Sequence, residues 1–161
     1  MQWQTDLPLI AILRGITPDE ALAHVGAVID AGFDVVEIPL NSPEWEKSIP
    51  AVVKAYGMTV CPGCATATEA FTALEAGAQS LKIFPSSAFG PDYIKALKAV
   101  LPASVPVFAV GGVTPENLGQ WMSAGCVGAG LGSDLYRAGQ SVERTAQQAT
   151  AFVKAYREAV K

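Results

Sequence analysis

Lys82 stands alone in the apolar run Ser80-Leu81-Lys82-Ile83-Phe84-Pro85. Among Leu, Ile and Phe a lysine has its ammonium form disfavoured and its free amine favoured, and a free amine is the nucleophile that forms a Schiff base with a ketone. The competing reading is a strand-end lysine whose stem packs on apolar neighbours while its head reaches water. Two more polar residues occupy comparable places: Arg14 closes the run from Leu9, and Glu37 lies within the run from Val35 to Leu40. Brought together, an anion-binding guanidinium, a proton-carrying carboxylate and an amine would make a site for carbonyl chemistry. Taken singly, Glu37 and Lys82 read as a structural ion pair and Arg14 as a solvated strand end.

Two glycine-rich segments carry a second signal. Val110-Gly111-Gly112-Val113 leads into the helix-start signal Thr114-Pro115, and Gly128-Ala129-Gly130-Leu131-Gly132-Ser133 ends another apolar run. Both offer bare backbone N–H groups near expected helix N-termini, which is how proteins cradle phosphate; tight turns that need glycine for steric reasons are the alternative. The second segment imitates a dinucleotide fingerprint, but it comes last in the chain and has no acidic residue at the end of a following strand. Cys61-Pro62-Gly63-Cys64 has the spacing of a redox dithiol without a thioredoxin-like order of elements around it. Zinc would need further ligands, and Cys126 and the only histidine, His24, lie far off on other elements, so no metal site is expected. His24 itself reads as a plain helix residue.

These residues need a frame. Apolar runs recur at Leu9 to Arg14, Val35 to Leu40, Thr59 to Cys64, Ser80 to Pro85, Val107 to Gly112 and Gly128 to Ser133, roughly 21 to 27 residues apart, each followed by a helical pattern. Helix starts are marked by Thr17-Pro18-Asp19-Glu20, Ser42-Pro43, Thr66 to Glu69, Gly90-Pro91 and Thr114-Pro115. Ala31-Gly32, Ala76-Gly77 and Ala124-Gly125 read as helix ends that open the return to a strand. Val142 to Val160 reads as one amphipathic helix with a stripe of Val142, Ala146, Ala149, Phe152, Val153 and Tyr156, which packs or joins an oligomer. Six βα units predict a parallel sheet with helical cover, closed into a barrel or open and doubly wound. Either form places chemistry at the C-terminal ends of its strands. Period-two alternation puts Ile10, Ile12 and Arg14 on one face, Val35, Glu37, Pro39 and Asn41 on another, and Ser80, Lys82 and Phe84 on a third; it does not say which faces are inside.

Composition narrows the function classes. The chain has 161 residues, half of them hydrophobic and 16% charged, enough for one domain with a substantial core. A net charge of -4 without any run of Lys or Arg argues against a nucleic-acid or anionic-membrane surface, while leaving room for a small phosphorylated anion. No apolar stretch is long enough to span a membrane, the start has no signal-like core, and three cysteines are too few for a disulfide framework. A cytoplasmic protein is expected.

The segments Ile12-Leu13-Arg14-Gly15, Val36-Glu37-Ile38-Pro39-Leu40-Asn41, Leu81-Lys82-Ile83-Phe84-Pro85 and Val110-Gly111-Gly112-Val113 resemble the signatures of the class I 2-keto-3-deoxy-6-phosphogluconate/6-phosphogalactonate aldolases. The resemblance runs over essentially the whole chain. It implies Lys82 as the Schiff-base lysine, Glu37 as general acid/base, Arg14 with Val110 as a wall near the substrate hydroxyls, and Gly111, Gly112, Gly132 and Ser133 as the phosphate site. The implied reaction is retro-aldol cleavage of a phosphorylated keto acid, 2-dehydro-3-deoxy-6-phosphogalactonate, to pyruvate and glyceraldehyde 3-phosphate, with no metal or organic cofactor. Asn41 stands where the phosphogluconate relatives tend to carry arginine, which favours the galactonate branch. A homo-oligomer, a trimer in the family, is also implied.

One departure is large. The family builds an eight-stranded barrel, whereas Ala51-Val52-Val53-Lys54-Ala55-Tyr56 runs straight into Gly57-Met58-Thr59-Val60, so about two βα units are absent near residues 56–58 of a single 1–161 domain. The expected fold is therefore a TIM-type parallel barrel shortened to six βα units, with an open doubly wound sheet or a strand-exchanged oligomer as alternatives. Removing an even number of strands keeps the barrel's layering. A closed six-strand barrel would place Glu37 and Lys82 two strands apart instead of four, and closure or pairing between chains is expected over an open monomer, because an open edge exposes unpaired backbone. Two functions stay in view beside a weaker phosphosugar isomerase reading: an aldolase, or a shortened barrel that folds and binds phosphate without turnover.

Overall fold

The computed structural model describes residues 6–38, 42–56, 63–75 and 80–161. Six short strands alternate with six helices: β1 Leu9–Ile12, α1 Pro18–Asp30, β2 Val35–Glu37, α2 Trp45–Tyr56, β3 Gly63–Cys64, α3 Ala67–Glu75, β4 Leu81–Ile83, α4 Ser86–Val100, β5 Val107–Val110, α5 Leu118–Ser123, β6 Gly128–Leu131 and α6 Val142–Ala159. All pairings are parallel, in the order β2-β1-β6-β5-β4-β3. Read from β3, the order is 3-4-5-6-1-2, which follows the chain around one turn. The sheet is therefore singly wound, as in a barrel, and the doubly wound alternative is corrected.

Closure is corrected too. Among the described residues no ladder joins β2 to β3, so these residues form a curled half-barrel whose seam falls between those two strands. Glu37 and Lys82 consequently stay four strands apart along the sheet, through β1, β6 and β5, and are not brought to two. In a flat sheet that separation would be about 19 Å. Their side chains meet at 3.0 Å, so the sheet must curl through a large arc to join them.

The curl follows from residue size. Outside the arc a large core of Leu, Val, Ile and Phe side chains joins sheet to helices; inside it lies a second cluster of only Ile10, Ile12, Val35, Phe108 and Val110. Between these, β6 presents Gly128 and Gly130. A Cβ on Gly130 would stand 2.7 Å from Val110 Cγ2 and 3.1 Å from Ile12 Cδ1, and one on Gly128 would fall 1.4 Å from the Pro8 carbonyl oxygen. Bare backbone at β6 lets the side chains of β1 and β5 meet over it.

The helix signals hold with three shifts, the first at Ser42-Pro43, where α2 begins only at Trp45 and the Ser42 hydroxyl accepts from Gly15 N at 2.9 Å. Thr17 and Glu20 form the capping box of α1, Thr66 Oγ1 accepts from Glu69 N at 3.2 Å before α3, and Gly32 and Gly125 end α1 and α5 at φ 105° and 99°. Gly90-Pro91, expected to start a helix, is a kink inside α4. Thr114-Pro115 starts a turn cinched by Asn117, and the helix proper begins only at Leu118. The expected helix end at Ala76-Gly77 lies outside the described residues. The stripe of α6 packs within the chain: Ala149, Phe152 and Val153 are buried, and the helix lies against α1 and α5.

Gly128→Ala is expected to destabilise the fold by about 1–3 kcal/mol or more, because the new methyl meets rigid backbone. Gly132→Ala, with nothing within 4 Å, is expected to stay within about 0.5 kcal/mol. Urea unfolding midpoints compare the two, and equal losses would count against the steric account of the curl.

Candidate active site

The two charged residues singled out by their strands meet inside the arc. Glu37 ends β2 and Lys82 is the central residue of β4. Lys82 Nζ donates to Glu37 Oε2 at 3.0 Å and to Oε1 at 3.3 Å. Their side chains keep 16% and 31% of their exposure, so a solute can reach both. Lys82 is thus held against a carboxylate, not in the all-apolar surroundings that its neighbours in sequence suggested. Room for its stem comes from Gly63, its register partner on β3: a Cβ there would lie 3.0 Å from Lys82 Cε. Cys64, next along β3, is buried beside it, and Cys61 lies outside the described residues.

A cavity of about 220 Å³ surrounds the pair, lined by Ile12, Arg14, Glu37, Gly63, Cys64, Ala65, Glu69, Lys82, Phe84 and Val110. A larger one of about 340 Å³ adjoins it, since Ile12, Arg14, Phe84 and Val110 line both; its further walls include Gly111, Gly112, Gly132, Ser133, Asp134, Tyr136 and Arg137. The arrangement is one cleft along the carboxyl ends of all six strands, with an amine and a carboxylate at one end and glycine-rich backbone at the other. Every residue singled out for a site lines it: Lys82, Glu37, Arg14, Val110, Gly111, Gly112, Gly132 and Ser133. Pro39 and Asn41 lie outside the described residues.

Local chemistry shapes the glycine end. Ser86 Oγ donates to Ile83 O at 2.8 Å and accepts from Val110 N at 3.0 Å, tying β4 to β5, while Ser87 N donates to Gly111 O at 3.1 Å. Gly111 and Gly112 take φ of 99° and 69°, and a Cβ on Gly112 would come within 2.7 Å of Ser87 Cβ. Contrary to the expectation of helix N-termini there, neither glycine segment runs directly into a long helix: a turn and six-residue α5 follow the first, and a turn in which Leu135 N and Tyr136 N both donate to Gly132 O follows the second. The backbone donors there are those of turns.

Behind the cleft lies a polar network that sequence reading missed. His24, 2% exposed, pairs through Nδ1 with Thr145 Oγ1 at 2.8 Å, and Gln140 Nε2 donates to the same oxygen at 2.7 Å. The His24 ring meets Tyr136 edge-on at 4.8 Å. Burial lowers the pKa of His24, with Glu20 opposing, and burial pushes that of Tyr136 up to about 12. Burial likewise raises Cys126 to about 12, leaving an unreactive thiol. Among the described residues no three His, Cys, Asp or Glu side chains gather where a metal ion could sit, and no helix is long and apolar enough to cross a membrane.

A singly wound parallel β/α sheet, curled to gather charged side chains at its carboxyl ends, defines the TIM-type barrel class of enzyme frame. The family model described as KDPG and KHG aldolase matches residues 42–151. The chain is 70% identical, covering 99% of itself and 100% of the relative, to the 2-dehydro-3-deoxy-6-phosphogalactonate aldolase of Escherichia coli (strain K12). A solved structure, "Native KDPGal structure", superposes with a TM-score of 0.94 at 70% identity, covering 99% of each chain. A second, a cube-shaped protein cage designed by fusing symmetric oligomeric domains, gives 0.93 at 69% identity over 97% of this chain and 74% of that one. The chain belongs to the KDPG and KHG aldolase family, and is a class I aldolase, a carbon–carbon lyase.

His24 yields a pH prediction. Its folded pKa lies below the ordinary value of about 6.5, so unfolded chains bind its proton more readily and stability falls as pH drops below about 6.5. His24→Asn is expected to flatten that slope between about pH 6.5 and 5 in urea midpoints; an unchanged slope would assign the acid sensitivity to carboxylates.

Proposed function

We propose that the substrate is 2-dehydro-3-deoxy-6-phosphogalactonate, cleaved to pyruvate and D-glyceraldehyde 3-phosphate, with Lys82 as Schiff-base nucleophile and Glu37 as general acid/base. The observation that carries this reading is the 3.0 Å amine–carboxylate pair, solvent-accessible within a cleft that continues to glycine-rich backbone. The substrate's identity rests on the 70% identical relative, which is described by that activity. Once its proton passes to Glu37, the Lys82 amine attacks the C2 ketone to form a carbinolamine. Glu37 returns the proton to the departing hydroxyl, giving water and a protonated imine. The carboxylate then takes the C4 hydroxyl proton. The C3–C4 electron pair flows into the imine, the aldehyde leaves, and an enamine stays on Lys82. Protonation at C3 from Glu37 and hydrolysis of the imine release pyruvate and restore the amine. Electrons and protons balance without metal or organic cofactor.

In this reading Arg14 and Val110, which line both parts of the cleft, form the wall beside the substrate hydroxyls. Gly111, Gly112, Gly132 and Ser133 take the phosphate through turn N–H groups. We also infer that residues 1–161 are one domain lacking two βα units near 56–58; the seam between β2 and β3 supports this. The chain works as a cytoplasmic homo-oligomer, a trimer by resemblance to its family. The seam also favours a second reading, a shortened barrel that keeps its fold and phosphate contacts but turns over poorly, the missing units having taken part of the substrate-positioning wall with them.

Borohydride reduction with pyruvate separates the two. A stable adduct on Lys82, absent in Lys82→Ala, is expected for the aldolase, and folded protein without an adduct would rule it out. Glu37→Gln is expected to lower kcat by about 10²–10⁴-fold. A Lys82→Ala variant that keeps activity would point instead to isomerase chemistry, which needs no imine.

A further inference from the structure

Arg137, which neither its sequence context nor the family resemblance singled out, lines the larger part of the cleft beside Gly132 and Ser133. Its placement is built. Arg137 Nε donates to Ser133 O at 2.9 Å, and Arg137 N donates to Gln140 Oε1 at 3.0 Å. Gln140 in turn donates to Leu135 O at 2.8 Å and to Thr145 Oγ1 at 2.7 Å, the oxygen that also contacts buried His24. The loop from Gly132 to Gln140 is therefore anchored to the α1–α6 core, and the guanidinium is tied to the rim by one of its five N–H groups. Among the described residues the four on its terminal nitrogens make no hydrogen bond, which leaves them for a ligand. Among the described residues no carboxylate pairs with Arg137.

We infer that Arg137 is a specificity-determining residue for phosphorylated substrates, supplying charge to a phosphate held by the neighbouring turn backbone. Backbone N–H groups alone bring partial charges, whereas a dianionic phosphate gains most from a planar fork that binds two oxygens together. Asp134 lines the same space with the opposite charge. Without Arg137 that carboxylate would repel the phosphate, so the cation serves both to attract it and to offset its neighbour. Fixing Nε to Ser133 O holds the guanidinium at the rim and lowers the side-chain entropy lost on binding. This inference rests on the phosphate end of the proposed function and is independent of the lysine chemistry.

The test is calorimetric titration with glycerol 3-phosphate, which has no ketone for Lys82, beside a glycerol control. The parent protein is expected to bind glycerol 3-phosphate and not glycerol. Arg137→Gln should weaken binding roughly tenfold, with Arg137→Lys recovering part of the loss through charge alone. Equal affinity in parent and Arg137→Gln, or no binding by folded parent protein, overturns the inference. Pyruvate trapping on the parent keeps the two readings apart: an Arg137-dependent affinity without an adduct sinks the Schiff-base reading alone, and an adduct without Arg137 dependence sinks this one alone.

Discussion

The bare inner face of β6 is the constraint on which the rest of the structure depends. A sheet curls in proportion to how closely side chains from non-adjacent strands can approach inside it. With Gly130 between Ile12 and Val110, no β6 side chain at that position keeps the side chains of β1 and β5 from meeting over it. Their side chains, with Val35 and Phe108, fill the small interior, and the arc tightens until β2 faces β4. The ion pair between Glu37 and Lys82 is a result of that curl. An exposed or half-exposed pair is worth little by itself, far too little to bend a sheet.

Two further steric allowances place the chemistry. Gly63 leaves the space through which the Lys82 stem leans, and Gly112 lets the start of α4 press against the end of β5. Ser86 then fixes those elements with one donated and one accepted hydrogen bond while fully buried. Glycines thus set the shape, and one hydroxyl holds it. The charged residues of the cleft are carried on a frame whose energy lies elsewhere, in the apolar layer between sheet and helices.

Much of this was legible from the chain. Caps and helix-ending glycines marked the units, because capping acts within a few residues and leaves a local trace. Period-two alternation put Val35 with Glu37, and Ile10 with Ile12, on common faces, and those faces are inside. What stayed hidden was set by distant parts. Whether β2 pairs with β3 depends on the radius of the curl, which no single segment records, so the expected approach of Glu37 and Lys82 through closure gave way to contact across an open arc. His24 looked like any helical histidine because its partner, Thr145, lies 121 residues away. Arg137 has no repeat or motif around it, and its role emerges only where a turn brings it over the cleft.

The place of β1 in the sheet has a consequence for how the molecule comes into being. β1 lies between β2 and β6, with Ile10 opposite both Val35 and Gly130. During synthesis the first strand can pair early on one side only, and its other edge must wait for the last of the six strands. Ribosomes add roughly 5–20 residues each second, so the nascent chain spends seconds with an apolar strand half covered. The cleft, whose wall includes residues on both sides of that late ladder, cannot form until β6 has been made.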